Sequence, residues 1–231
     1  MKALEIKNLH YSYPDGKKAL EGIDLSLDKS TRTALIGKNG SGKTTLMLHI
    51  AGLLDGEGHI SVSGITRSRK TISEIRKRVA FLFSQVEYQF IMPDLINDII
   101  LSIPGSSATK EDKIHIAEKW LERFNLSRYA GSNPLDLSSG EIKRAALAGV
   151  LAKEPALLLL DEPLNNLDRE NSIILIELLK SFSATMLIAT HRRFIIEELA
   201  THIAVMENGI ITSFCEKIEG LKKKAIRDLI F

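Results

Sequence analysis

Apolar residues along the chain switch between two periods. The N-terminal stretch alternates short strand-like runs with turns: ALEIKNLHYSY, then PDG, then ALEGIDLSL. TALIG (Thr33–Gly37) is an apolar run that stops at a glycine-rich loop. TTLMLHIAGLL beyond the loop reads as a helix, with Leu46, Ile50 and Leu53 on one stripe. HISVSG (His59–Gly64) and RVAFLF (Arg78–Phe83) predict further strands. From about Leu95 to Leu151 the period becomes helical. In KEDKIHIAEKWLERFNL, Ile114, Ala117, Leu121 and Phe124 share a face. Strand-like runs return as ALLLL (Ala156–Leu160), ATMLIAT (Ala184–Thr190) and HIAVME (His202–Glu207), with the helix IILIELLKSF between the first two. Strands alternating with helices, each strand nearly all apolar, predict a largely parallel sheet covered on both faces. The helical middle reads as an insertion, giving a core of residues 1–84 and 155–231 and a helical subdomain of residues 85–154 within one domain.

The loop after TALIG carries the first chemistry. Gly37-Lys38-Asn39-Gly40-Ser41-Gly42-Lys43-Thr44 fits GxxxxGK[ST], between a predicted strand and a predicted helix, and Thr45 follows it. Glycines let backbone N–H groups curl around phosphate oxygens, and the helix N-terminus adds its positive end. Lys43 is expected to reach the β- and γ-phosphates and Thr44 to ligate magnesium. LLLLDE (Leu157–Glu162) supplies the partner. Asp161 ends a buried strand, where an α/β sheet opens to ligands, and is expected to hold the magnesium ion. Glu162 follows it, placed to orient or deprotonate an attacking water. The expected fold is therefore an α/β P-loop NTPase (RecA-like), with an N-terminal antiparallel β region beside the mostly parallel sheet.

Composition narrows the partners. The 231-residue chain has a net charge of +2, and 26% of its residues are charged, so no strong electrostatic preference is encoded. The runs RSRK, RKR and KKK read as solvated faces, and nucleic acid is not an expected partner. The tail LKKKAIRDLIF reads as a terminal helix. Cys215 is the single cysteine, so no internal disulfide forms. The stretch MKALEIKNLHYSYPDG lacks the apolar run expected of a secretory signal, and no run is long enough to span a bilayer, so work at a membrane is expected to need another subunit.

LSSGEIKR (Leu137–Arg144) has two readings. Ser138 and Glu141 have the spacing of a capping box, which satisfies backbone N–H groups at a helix start. The same residues suit one half of an ATP site whose other half lies on a second chain. The order of glycine loop, LSSGE, LLLLDE, PLNNLD and Thr190-His191 resembles the ABC-type ATPases over essentially the whole chain. That resemblance implies that Ser138 and Gly140 cover the γ-phosphate held by another subunit's glycine loop. It implies that Tyr13, one of two tyrosines in YSY, stacks on adenine. It makes His191 a γ-phosphate contact that helps hold the attacking water, and Asp168 a link between the two sites of a dimer. The family's glutamine after the strand preceding the helical subdomain, which approaches magnesium, aligns with Ser84. Gln85, one residue on, is the candidate for that role through a local backbone shift; otherwise the metal contact is weakened or water-mediated.

Ser139 stands where a second glycine is usual, and Arg192 where aspartate is frequent. YPDGKKALEGIDLSL, RKRVAFLF and GEIKRAALAGVLAKEPALLLLDEP resemble the ATPases of energy-coupling-factor importers of transition metals or vitamins. The resemblance implies ATP and Mg2+ as ligands. It also implies head-to-tail dimerisation with a second copy or a paralogous ABC ATPase, and an integral membrane transporter subunit reached from the cytoplasmic face. Glu87, Tyr88 and Gln89 are candidates to line the groove for that subunit. An ATP-binding switch with weak or no hydrolysis beside a catalytic paralogue, or a soluble regulator, are the alternatives.

Overall fold

The first two strands already depart from simple alternation, and the pairing explains why. The computed structural model describes residues 1–104 and 109–230; of the predicted helical stretch and the tail, residues 105–108 and Phe231 lie outside the described residues. Strands β1 (Lys2–Ser12) and β2 (Lys18–Asp28) pair antiparallel. Their buried positions, Leu4, Ile6 and Leu9 on one and Leu20, Ile23, Leu25 and Leu27 on the other, each skip phase once. Register shifts fall at those skips, where Asn8 and Gly22 take positive φ. A bulge on each strand thus keeps the apolar side chains on one face.

After β3 (Arg32–Ile36) and helix α1 (Lys43–Ile50) come β4 (Glu57–Val62) and β5 (Ile65–Thr66), which complete a four-stranded sheet in the order β2-β1-β4-β5. Then follow α2 (Ile72–Arg78), β6 (Val79–Leu82), α3 (Leu95–Ser102), α4 (Lys110–Arg123), α5 (Ser139–Ala152), β7 (Leu157–Asp161) and α6 (Arg169–Lys180). The chain ends with β8 (Thr185–Ala189), α7 (Arg193–Glu198), β9 (His202–Glu207), β10 (Ile210–Glu216), α8 (Lys217–Lys222) and α9 (Lys224–Ile230). The second sheet runs β10-β9-β3-β8-β7-β6, parallel except for β10 against β9.

The second sheet separates two apolar clusters. Leu158 and Leu160 of β7 face the cluster made with α3, α4, α5 and α6. Leu157 and Leu159 face the cluster made with α1 and the antiparallel sheet. Burial on both faces is why this strand reads LLLL. The inserted helices lie between β6 and β7 in the chain and pack on one face of the sheet.

Three expectations need correction. The helix through Leu53 stops at Ile50: Gly52 is left-handed, its N–H donates to His49 O, and the N–H of Leu53 donates to Leu48 O. This is a Schellman stop, and it leaves Leu53 exposed instead of on the apolar stripe. Helix α2, absent from the sequence reading, takes Arg78 out of the following strand. Finally, Arg67 is not on a solvated face. Its side chain is only 8% exposed. It donates to the carbonyls of His49, Leu54 and Gly56 and to the Asp55 carboxylate, closing the C-terminal end of α1.

Candidate functional site

The C-terminal ends of β3, β6 and β7 open onto one cleft of about 430 Å3. The glycine loop joins β3 to α1, and backbone crowding dictates its composition. A Cβ on Gly37 would lie 2.1 Å from Met206 O, and one on Gly42 would lie 2.6 Å from Ala19 O. Any side chain at either position would push the loop off its neighbours. Gly42 is also the residue before α1, in the left-handed region, so the leading N–H groups of the helix lack intrahelical partners at the cleft. Lys43 folds back along the loop, and its Nζ donates to Gly37 O at 2.7 Å and Lys38 O at 3.1 Å. Burial lowers its pKa, an effect opposed by the carboxylates of Glu162 and Asp161.

Across the cleft, Thr44 Oγ1 donates to Asp161 Oδ2 at 2.8 Å. Burial raises the pKa of Asp161; the Thr44 hydrogen bond opposes that rise. Glu162 has left-handed backbone, at φ 47°, and its N–H donates to Ala189 O at 2.9 Å. Its Oε1 lies 2.8 Å from His191 Nδ1, while Oε2 is buried without a hydrogen-bond partner.

Of the sequence-predicted residues, Tyr13, Asn39, Gly40, Gly42, Lys43, Thr44, Thr45, Asp161 and Glu162 line this cleft. Gly37 and Lys38 support it through their carbonyls. Ser41 is buried in the loop, with its Oγ unpartnered. Of the two tyrosines, Tyr11 packs edge-on to His49 at 4.5 Å, and Tyr13 reaches Thr45 Oγ1 at 2.9 Å from the cleft wall. Gln85 is exposed and does not line the cleft; Ser84 does. The structure has no backbone shift that brings the glutamine in. Gln89, partly exposed, accepts from Phe83 N and donates to Phe81 O, covering the free edge of β6 as a strand would. Lys17, Lys18 and Asn165 line the cleft without having been singled out. Asn165 belongs to PLNNLD and the two lysines to YPDGKKALEGIDLSL, but neither stretch marks these particular side chains as facing the cleft.

Ser138, Gly140 and Asp168 lie outside that lining, at the starts of α5 and α6. The capping box is present. Ser138 N and Oγ donate to Glu141 Oε2 at 3.1 and 2.6 Å, and Glu141 N donates to Ser138 Oγ at 3.4 Å. Tyr129 and Arg128 donate to the other oxygen of Glu141. The Ser138 hydroxyl, then Tyr129, hold its pKa down at about 2. Gly140 faces Asn171 of α6, where a Cβ would meet Oδ1 at 2.4 Å. Asn171 in turn accepts from Arg144 Nη1 at 2.7 Å and donates to both oxygens of Asp168. Asn171 was not flagged by sequence, although its spacing from the capping Asp168 is a helix-start signal.

A larger cavity, about 590 Å3, lies at the opposite ends of the strands and includes Arg78, Trp120, Arg123 and Phe182. None of the predicted site residues lines it. Among the described residues there is no cluster of three or more His, Cys, Asp and Glu fit to hold a metal on their own. An oxygen pair such as Thr44 and Asp161 suits magnesium, which takes its remaining ligands from phosphate and water. The unpartnered Ser41 Oγ and Glu162 Oε2 leave further polar capacity at the cradle. The residues present therefore fit a nucleoside triphosphate with Mg2+. No helix among the described residues is long and apolar enough to cross a membrane.

Comparison with known proteins agrees with this geometry. The profile of the ABC transporter family matches residues 20–165. A putative ABC transporter ATP-binding protein of Gloeobacter violaceus is 41% identical over 214 residues, 91% of this chain and 87% of that protein. An energy-coupling factor transporter ATP-binding protein of Methanothermobacter thermautotrophicus is 34% identical over 97% of this chain and 73% of its own length. Among solved structures, cbiO1 of Clostridium perfringens, described as part of the ABC transporter complex cbiONQ, superposes with a TM-score of 0.83 at 28% identity. That superposition covers 98% of this chain and 94% of that one. A nucleotide-free ATP-binding cassette superposes with a TM-score of 0.85 at 25% identity, over 100% and 99% of the two chains. With the P-loop fold, the cleft and these likenesses together, the chain belongs to the ABC transporter family of ATPases, as an ATP-binding cassette resembling energy-coupling-factor subunits.

Proposed function

We propose that this chain hydrolyses ATP, with Mg2+, to power an importer of the energy-coupling-factor type, moving a transition metal ion or a vitamin through a separate integral membrane subunit. The observation that carries the reading is Glu162, a carboxylate in the cleft with one oxygen on His191 and the other buried and unpaired. Lys43 and the leading N–H groups of α1 bind the triphosphate, and Tyr13 offers its ring to adenine. Thr44 and Asp161 hold the magnesium ion, which supplies charge neutralisation on the phosphates. Glu162 orients the attacking water and takes its proton. His191 keeps the Glu162 carboxylate turned toward that water. The nucleotide is sealed by Ser138 and Gly140 of a second copy, or of a related cassette, docked head to tail, with Asp168 at the seam. In this reading the protein is cytoplasmic and peripheral, held on the membrane by its partner. The energy-coupling-factor and cbiONQ likenesses support that placement.

Ser84 favours a second reading. A serine lines the cleft where the family carries glutamine. The shorter side chain suits a cassette that binds ATP as a dimerisation switch and hydrolyses it slowly beside a catalytic relative.

Two measurements test these readings. Turnover of ATP by the purified chain is expected to fall at least ~100-fold in Glu162→Gln. Equal rates would remove Glu162 from its role, and no turnover by either would favour the switch. Affinity capture from membranes is expected to recover an integral membrane protein. Recovery of none leaves only a soluble regulator.

A further inference from the structure

Lys143 sits one turn into α5, and it is 3% exposed. A lysine gives up the hydration of its ammonium only where other groups replace the water. Here Nζ donates to Asn165 O at 2.7 Å and makes a longer contact with Glu162 O at 3.4 Å. Burial lowers the pKa of Lys143, and the charges of Glu87 and Glu162 oppose that shift while Arg192 adds to it. Glu87 belongs to the 3-10 turn, Val86–Gln89, that comes next after β6. The ammonium therefore sits where α5, that turn and the segment from Glu162 to Asn165 meet.

That segment is the one that needs a brace. Glu162 is left-handed, at φ 47°, a conformation that a glutamate adopts only when its surroundings impose it; Asn166, at 63°, is of a residue type that takes it readily. The N–H of Glu162 is fixed by Ala189 of β8. Its carbonyl faces Lys143. The peptide planes on either side of the Glu162 side chain are thus tied to two different elements, the sheet and α5.

We propose that Lys143 is a positioning residue for ATP hydrolysis. Its ammonium grips the carbonyl side of the Glu162–Asn165 segment, keeps Glu162 left-handed, and so holds the carboxylate in the cleft on His191. This rests on the reading of Glu162 as the group that acts on water. The side-chain length matters, because Nζ has to cross from α5 to two main-chain oxygens. Methionine has nearly the same shape but no donor: Asn165 O loses its bond to the ammonium, and Glu162 O keeps only the turn bond from Asn165 N. Arginine retains donors and charge.

The test compares Lys143→Met and Lys143→Arg with the unaltered chain. Methionine is expected to lower kcat by ~10–100-fold, the scale of a displaced catalytic group, with the affinity for ATP and KM within about twofold. Arginine is expected to restore most of kcat. Amide hydrogen exchange, measured on free protein, is expected to quicken by about tenfold or more in peptides covering residues 162–168, and to stay level in β3 and α1. A kcat unaffected by methionine overturns the proposal, and so does unaltered exchange over residues 162–168. Exchange that quickens throughout the chain reduces Lys143 to a packing residue and also overturns it. If the unaltered chain shows no turnover, the ATPase reading fails, and the exchange comparison still decides for or against Lys143.

Discussion

The cleft at the ends of β3, β6 and β7 and the paired starts of α5 and α6 carry the same family of motifs, yet they are built differently. In the cleft, polar groups gather and one remains unpaired, as Glu162 Oε2 does. At the start of α5 the corresponding groups are paired with one another: Ser138 with Glu141, Glu141 with Tyr129 and Arg128, and Asp168 with Asn171. One region is an incomplete binding site. The other is a surface whose polar side chains are already bonded to one another. A helix start whose conformation is already fixed presents its N–H dipoles to an outside anion without reorganising. The contrast is what the proposed head-to-tail arrangement requires, with the cradle supplied by one chain and the lid by another.

Substitutions that remove one region and spare the other sharpen this contrast. The largest effect belongs to Glu162→Gln, which disables the cleft and leaves the surface whole. It is expected to accumulate with ATP as a dimer, detected by light scattering. Gly140→Ala acts on the surface. Its new Cβ meets the Asn171 amide and displaces it from Arg144 and Asp168, at a cost of about 1–3 kcal/mol in denaturant unfolding. ATP binding by the single chain is expected to be unchanged, with the dimer lost. If Gly140→Ala weakens ATP binding to the isolated chain instead, the two regions are not separate.

Ser138→Ala is milder. Loss of the cap costs about 1 kcal/mol, read as roughly 2–4 °C in Tm for a chain of this size. The cap also has a pH signature. Glu141 has its pKa lowered from 4.5 to about 2 in the fold, so its contribution is complete above 4.5 and lost as pH falls through about 2. Acid titration of stability is expected to show that loss in the unaltered chain and to be flatter in Ser138→Ala.

What the sequence disclosed follows the same division. The glycine loop, LLLLDE and the Ser138–Glu141 box were legible because each is local: a few adjacent residues dictate a turn, a buried strand end or a cap. The stripe through Leu53 failed because periodicity does not register a stop, while Gly52, the residue able to make one, lay within the apolar run. Arg67, Gln89 and Lys143 were illegible for a shared reason. Each is bonded to main-chain carbonyls or N–H groups of another segment, and a peptide group has no letter in the sequence. Arg67 therefore reads as a member of a solvated charge run, and Lys143 is not singled out at all, although both side chains are buried. Ser84 and Gln85 were separated only by the fold, which turns one into the cleft and the other to solvent.

The division into cradle and lid is tested most directly by ATP turnover in a mixture of two disabled chains. Lys43→Ala loses the cradle and keeps the lid, whereas Ser138→Arg loses the lid and keeps the cradle. Each alone is expected to be inactive, and mixing them is expected to restore turnover, because the cradle of the Ser138→Arg chain meets the intact lid of the other. Turnover by Ser138→Arg alone at the unaltered rate, or a mixture as inactive as its parts, would contradict the account.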